Sequence, residues 1–191
     1  MQSVLRDLAG YAVMIGFTAA LVGACTLLVV RQRRSDHDRA WAPLIPLVGG
    51  TVRRRHVSST MHGSWRGHAV TATVDAGGAE TPAVYTLTIS AAPGGADWEI
   101  LYGGESLFGS ARWYVRTGDE RLRAALESSP AMAAVQQADP QPTIRYARSG
   151  QLTFEAENAW APGPDGFVRH LDLLVRLDEL NQRLNAPTPA A

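Results

Sequence analysis

Residues 69–89 read AVTATVDAGGAETPAVYTLTI. Two β-branched runs, 69–74 and 83–89, alternate apolar and polar residues, which is the period of a strand with one buried face. Asp75-Ala76-Gly77-Gly78 between them is a turn signal, so the two runs are expected to pair antiparallel. Working outward, 98–102 (WEILY) and 111–116 (ARWYVR) read as two more strands, separated by Gly103-Gly104. Residues 51–55 offer an earlier strand, with Arg53 and Arg55 on one face. Residues 143–146 and 151–155 read as a hairpin around Arg148-Ser149-Gly150.

Helical signals lie between and after these strands. Thr117-Gly118-Asp119-Glu120 caps ERLRAALE, and Ser129-Pro130 opens AMAAVQQ with proline at the first helical position. Phe167, Leu171, Leu174, Leu177 (or Leu173), Leu180 and Leu184 recur every three or four residues, with charged residues in the other positions. That period predicts a long amphipathic helix laid over a sheet. The fold class is therefore α+β: a mainly antiparallel β-sheet covered by helices, the longest of them C-terminal.

Ahead of this domain, residues 10–30 (GYAVMIGFTAALVGACTLLVV) contain no charge over 21 positions. Such a run is long enough to cross a hydrocarbon core of about 30 Å. Arg6 and Asp7 cancel before it, while Arg31, Arg33 and Arg34 follow it, which predicts a cytoplasmic C-terminal side. A cleavable signal would have a shorter core. Val22-Gly23-Ala24-Cys25 resembles a lipobox and leaves lipidation of Cys25 open, although five more apolar residues and the basic cluster follow it. Gly16 and Ala20, and likewise Ala19 and Gly23, stand four apart, a spacing that lets two membrane helices approach closely. The organisation expected is a short flank (1–9), a transmembrane helix (10–30), a basic connector (31–46), a soluble α+β domain (47–185) and a tail (186–191). Pro43 and Pro46 argue against a long regular helix in the connector, and Trp41 is placed either in the interfacial belt or on the domain.

Composition narrows the chemistry. All 18 basic residues are arginine, so no lysine is available for a Walker-type phosphate loop or a Schiff base. One cysteine in 191 residues excludes an intrachain disulfide. The formal net charge is zero, and 35–191 carries 14 arginines against 17 acids, so nucleic acid is not the partner expected.

The candidate constellations are sparse. His56, His62 and His68 recur every six residues and share one side of an extended chain, without a completing cysteine or carboxylate cluster. Asp36-His37-Asp38 reads as a polar hinge. Gly104-Glu105-Ser106-Leu107-Phe108-Gly109 only superficially matches a nucleophile elbow. His170 and Asp172, two apart on a helix, point to different faces. Glu155 and Glu157 share a strand face and read as solvated. No catalytic, cofactor or metal residue is assigned. The candidate sites are the membrane-surface residues Arg31, Arg33 and Arg34 and the helix-packing residues Gly16, Ala20 and Gly23.

Gly63-Ser64-Trp65-Arg66-Gly67-His68-Ala69-Val70, then Trp113-Tyr114-Val115-Arg116-Thr117-Gly118-Asp119, then a hairpin and a Leu-rich helix ending Leu180-Asn181 form a pattern over residues 47–185. It resembles a group of uncharacterised bacterial membrane-anchored proteins with a cytoplasmic α+β domain. The resemblance implies location and fold, and no activity. The functional expectation is a non-enzymatic, single-pass protein of the bacterial inner membrane. Its partners would be the bilayer and another membrane protein or a second copy. The alternative is a tethered sensor of a small anionic ligand or lipid head group.

Overall fold

The computed structural model describes residues 2–55, 58–77, 81–103 and 112–186; within the first helix, side chains are described for 14–29, 31, 32, 35, 36 and 38–41. The chain divides into two compact units, Met1–Arg39 and Ala40–Ala191. In order, the elements are α1 (Gln2–Trp41), α2 (Ile45–Val48), β1 (Thr51–Arg54), β2 (Ser58–Trp65), β3 (His68–Asp75), β4 (Val84–Ser90), β5 (Trp98–Gly103), β6 (Arg112–Thr117), α3 (Glu120–Glu127), α4 (Pro130–Gln136), β7 (Thr143–Ala147), β8 (Gln151–Glu157) and α5 (Pro164–Asn185).

In the first unit α1 is one continuous helix. It contains the whole 10–30 run, and its side chains from Met14 to Val29 are exposed. Among the described residues no helix is long and apolar enough to cross a membrane.

The second unit is an α+β fold around an eight-stranded antiparallel sheet of order β1-β2-β3-β4-β8-β7-β5-β6. β1 to β4 form a meander. The β7–β8 hairpin then returns between β4 and β5, so that β8 pairs with β4 and β7 with β5. β3 and β4 pair antiparallel as expected, Ala72 opposite Leu87 and Val74 opposite Tyr85. One face of the sheet carries the core: Met61, Val70, Val74, Tyr85, Leu87, Ile89, Trp98, Ile100, Ile144, Leu152 and Phe154 are all buried. Phe167, Leu171, Leu174 and Leu177 of α5 meet it, as their helical period dictates. The opposite face is polar, with Thr60, Thr71, Thr73, Thr86, Thr88 and Thr153 half-buried along it. Pairs of these hydroxyls lie 3.2 Å apart across strands, Thr60 with Thr73 and Thr88 with Thr153.

Local chemistry sets the helix starts. The Asp119 carboxylate accepts hydrogen bonds from the backbone N–H groups of Arg121 (2.9 Å) and Leu122 (3.1 Å). Ser129 caps α4 in the same way, accepting from Met132, and Pro130 and Pro164 occupy first-turn positions.

Two readings change, and one open placement is decided. The strand β2 lay outside the expected set, because SSTMHGSW has few β-branched residues; its register against β1 and β3 comes from its partners. The connector is helical up to Trp41, since no proline precedes position 43. Of the two placements open to Trp41, the structure shows the one on the domain: it is 1% exposed, and Leu44 and Val48 are buried with it. The second unit thus begins at Ala40, seven residues ahead of the boundary expected at 47.

Candidate functional site

The β2–β3 hairpin is built to hold α5. Arg66 (φ 48°) and Gly67 (φ 86°) both adopt left-handed backbone, the requirement of a two-residue type I′ hairpin. The tight turn presents Trp65 and Arg66 to one carboxylate. The Trp65 indole N–H donates to Asp172 Oδ1 at 3.2 Å, and Arg66 Nη1 pairs with the same oxygen at 3.2 Å. Further along α5, the buried Asp178 carboxylate accepts from the Ala92 N–H (3.1 Å) and from Gln182 Nε2 (2.7 Å). His68 Nδ1 stands 3.9 Å from Asp178 and 2.7 Å from the Ser90 carbonyl. The Trp98 indole N–H donates to the buried Asn181 Oδ1 at 3.3 Å.

With its inner face held this way, α5 turns Arg169, Asp172 and Arg176 toward α4. A groove of about 440 Å³ lies between the two helices. Ala134, Ala138 and Leu173 make its apolar surface, and Gln137, Asp139, Arg169, Asp172 and Arg176 its polar one. Alanines at positions 134 and 138 leave room that longer side chains would fill.

His170 also lines the groove and is 4% exposed. Its ring stacks on Phe154 at 4.2 Å and lies 6.1 Å from the Tyr85 ring. Its Nδ1 is buried with no hydrogen-bond partner, as is the Tyr85 hydroxyl. Burial first, and then the Arg169 charge, lower the His170 pKa to about 4, against an opposing backbone hydrogen bond and charge from Asp139. Burial alone pushes the Tyr85 hydroxyl far above its ordinary value. His170 is therefore neutral at pH 7. Arg169 and Arg176 are exposed, and neither has an ion-pair partner among the described residues.

The residues singled out in the sequence fall elsewhere. Gly16, Ala20 and Gly23 are exposed on α1, and a Cβ at Gly16 or Gly23 would meet nothing within 4 Å. Gly23 belongs to an apolar groove along α1 with Met14, Ile15, Thr18, Ala19 and Val22; Gly16 and Ala20 do not. Arg31 is exposed, while the Arg33, Arg34 and His37 side chains, His56 and the 104–109 loop lie outside the described residues.

The histidine triplet does not share a side. The reversal at Arg66–Gly67 pairs His62 with Thr71 and His68 with Trp65, which leaves His62 on the open face and His68 on the helix face. Among the described residues no three metal-ligating side chains come together. Glu155 is not simply solvated: it joins a cross-strand row with Arg145 (3.5 Å), Glu99 and Arg116. His170 and Asp172 do diverge, one into the core and one toward Arg66.

No family model, curated protein or solved structure matches this chain. The groove was missed in the sequence because α4 and Asp139 reach α5 only through the fold. The available signal was the seven-residue spacing of Arg169 and Arg176, which places both on one helix face.

Proposed function

We propose that this is a single-pass protein of the bacterial inner membrane whose second unit, Ala40–Ala191, sits on the cytoplasmic side. There it binds a partner protein as a non-enzymatic accessory subunit or scaffold. The observation that carries the reading is the surface of α1. Met14, Ile15, Phe17, Leu21, Val22, Leu27, Leu28 and Val29 are exposed; at 100° per residue all but Leu27 fall within an arc of about 160°, and Gly16, Ala19, Ala20, Gly23, Ala24 and Thr26 fill the rest without a charge. An exposed helix with large apolar side chains along one side and no charge on any side is poorly suited to water. Its hydroxyls need no solvent either: Thr18 donates to the Met14 carbonyl at 2.9 Å and Thr26 to the Val22 carbonyl at 2.8 Å. Arg31, Arg33 and Arg34 at the end of the run favour a cytoplasmic C-terminal side.

Alkaline carbonate extraction of the full chain, together with a C-terminal topology reporter, tests the anchor. Release into the soluble fraction would end the membrane reading. For the partner, the native mass after mild detergent extraction is the measurement. Gly16→Leu with Ala20→Leu should reduce the assembly if α1 is the packing helix, and an unchanged mass removes that role.

A second reading, a tethered sensor of a small anionic ligand or lipid head group, is favoured by the α4–α5 groove with its two unpaired arginines.

A further inference from the structure

We infer that the groove between α4 and α5 binds a phosphate monoester through the guanidinium groups of Arg169 and Arg176. This rests on the sensor reading above and names the chemistry of its ligand.

The two arginines stand seven residues apart on one face of α5, about 10 Å between Cα atoms. Long side chains at that spacing can converge on a single group. Four other arginines of this unit are held in ion pairs: Arg66 by Asp172, Arg116 and Arg145 by Glu99, and Arg123 by Glu120. Arg169 and Arg176 line one cavity and are paired with no carboxylate among the described residues.

The planar guanidinium fork selects the ligand class. A carboxylate has two oxygens and is satisfied by one fork. A phosphate monoester presents three terminal oxygens and accepts from two forks at once. Charge sets the number of phosphates. The lining holds two arginines and two aspartates; Asp172 is offset from outside the groove by Arg66, so the arginines exceed the remaining carboxylate, Asp139, by one. One phosphate group suits that balance better than a polyphosphate. The apolar surface of Ala134, Ala138 and Leu173 accommodates a short carbon body, and 440 Å³ falls in the range of small-molecule sites.

His170 lines the same groove and is almost wholly buried, so it adds an aromatic wall and no exposed charge to it.

The test is calorimetric titration of the full-length protein in detergent with glycerol 3-phosphate, inorganic phosphate and succinate. In parallel, its binding to phosphatidylcholine vesicles with and without phosphatidic acid is measured. Glycerol 3-phosphate should bind, and Arg169→Gln or Arg176→Gln should each weaken it by about tenfold or more, the scale of a lost charge-assisted hydrogen bond. Arg121→Gln, an exposed arginine of α3, should leave binding unchanged. Binding only to phosphatidic acid vesicles, lost in Arg176→Gln, supports the same chemistry carried by a lipid. Succinate binding as tightly as glycerol 3-phosphate, with the same arginine dependence, overturns the phosphate assignment and leaves the sensor reading standing. Failure of every probe, or an equal loss in Arg121→Gln, overturns both.

Discussion

The Trp41 indole nitrogen donates to the Ser59 hydroxyl at 2.7 Å, and both residues are 1% exposed. This bond joins Trp41 to β2, eighteen residues on, within the second unit. It makes Trp41 part of the folded unit rather than part of a linker, and it supports the use of a tryptophan there: the indole fills the core and its one donor finds a buried acceptor.

Trp41→Ala should therefore destabilise the second unit by about 3–5 kcal/mol, the cost of emptying a buried aromatic site. Trp41→Phe, which keeps much of the ring but loses the donor, should cost less. Urea denaturation followed by circular dichroism measures both. A chain starting at residue 47 lacks Trp41 and Leu44 and should melt well below one starting at residue 40. Equal melting would show that Trp41 does not belong to the core.

His170 predicts the pH dependence of stability. Its folded-state pKa of about 4 lies below the ordinary 6.5, so between these values the unfolded chain holds a proton that the folded chain does not. Stability contributed by neutral His170 is complete above about pH 6.5 and is lost as the pH falls toward 4. The full loss is roughly 3 kcal/mol, or about 6–12 °C in Tm for a unit of this size. His170→Gln removes this titration, so the fall in Tm between pH 7 and pH 4 should shrink. An identical fall in the variant would place the acid sensitivity elsewhere.

Asp172 joins the β2–β3 turn to α5, and its two partners contribute unequally. Asp172→Ala leaves the half-buried Trp65 indole without its acceptor and should cost about 1–2 kcal/mol. Arg66 is 59% exposed, so Arg66→Ala should cost no more than about 0.5 kcal/mol. A double-mutant cycle on the two positions separates the terms. A coupling above 1 kcal/mol would mean that the ion pair, not the indole, holds the turn.

Gly63 allows α2 to lie against β2. A Cβ there would stand 2.6 Å from Val48 Cγ2 and 2.7 Å from the Val48 carbonyl oxygen. Gly63→Ala should cost about 1–3 kcal/mol, as overpacking does. Val48→Ala should relieve only part of this, because the carbonyl remains. Complete rescue would show that the side-chain clash alone mattered.

Much of the secondary structure was legible because its causes are local. Alternation in 69–74 and 83–89 marked β3 and β4, the leucine period marked α5, and Asp119 and Ser129 marked two helix starts. Harder to read was β2, whose serines, histidine and glycine carry little strand preference alone and are held by partners on both sides. Half of the groove could be read, since Arg169 and Arg176 share a face by spacing alone. Asp139, Ala134 and Ala138 could not, because nothing local brings them to α5.

The sequence by itself determined the class of the fold, a helix-covered antiparallel sheet, together with the apolar first helix and the inner face of the last. Only the tertiary structure decided that β7 and β8 insert between β4 and β5, that Trp41 is core, that His62 and His68 face opposite ways, and that two arginines stand unpaired across a groove from Asp139. The physical reason is range. Periodicity, caps and turns act over a few residues, whereas strand order and the walls of a cavity depend on which distant apolar surfaces bury one another.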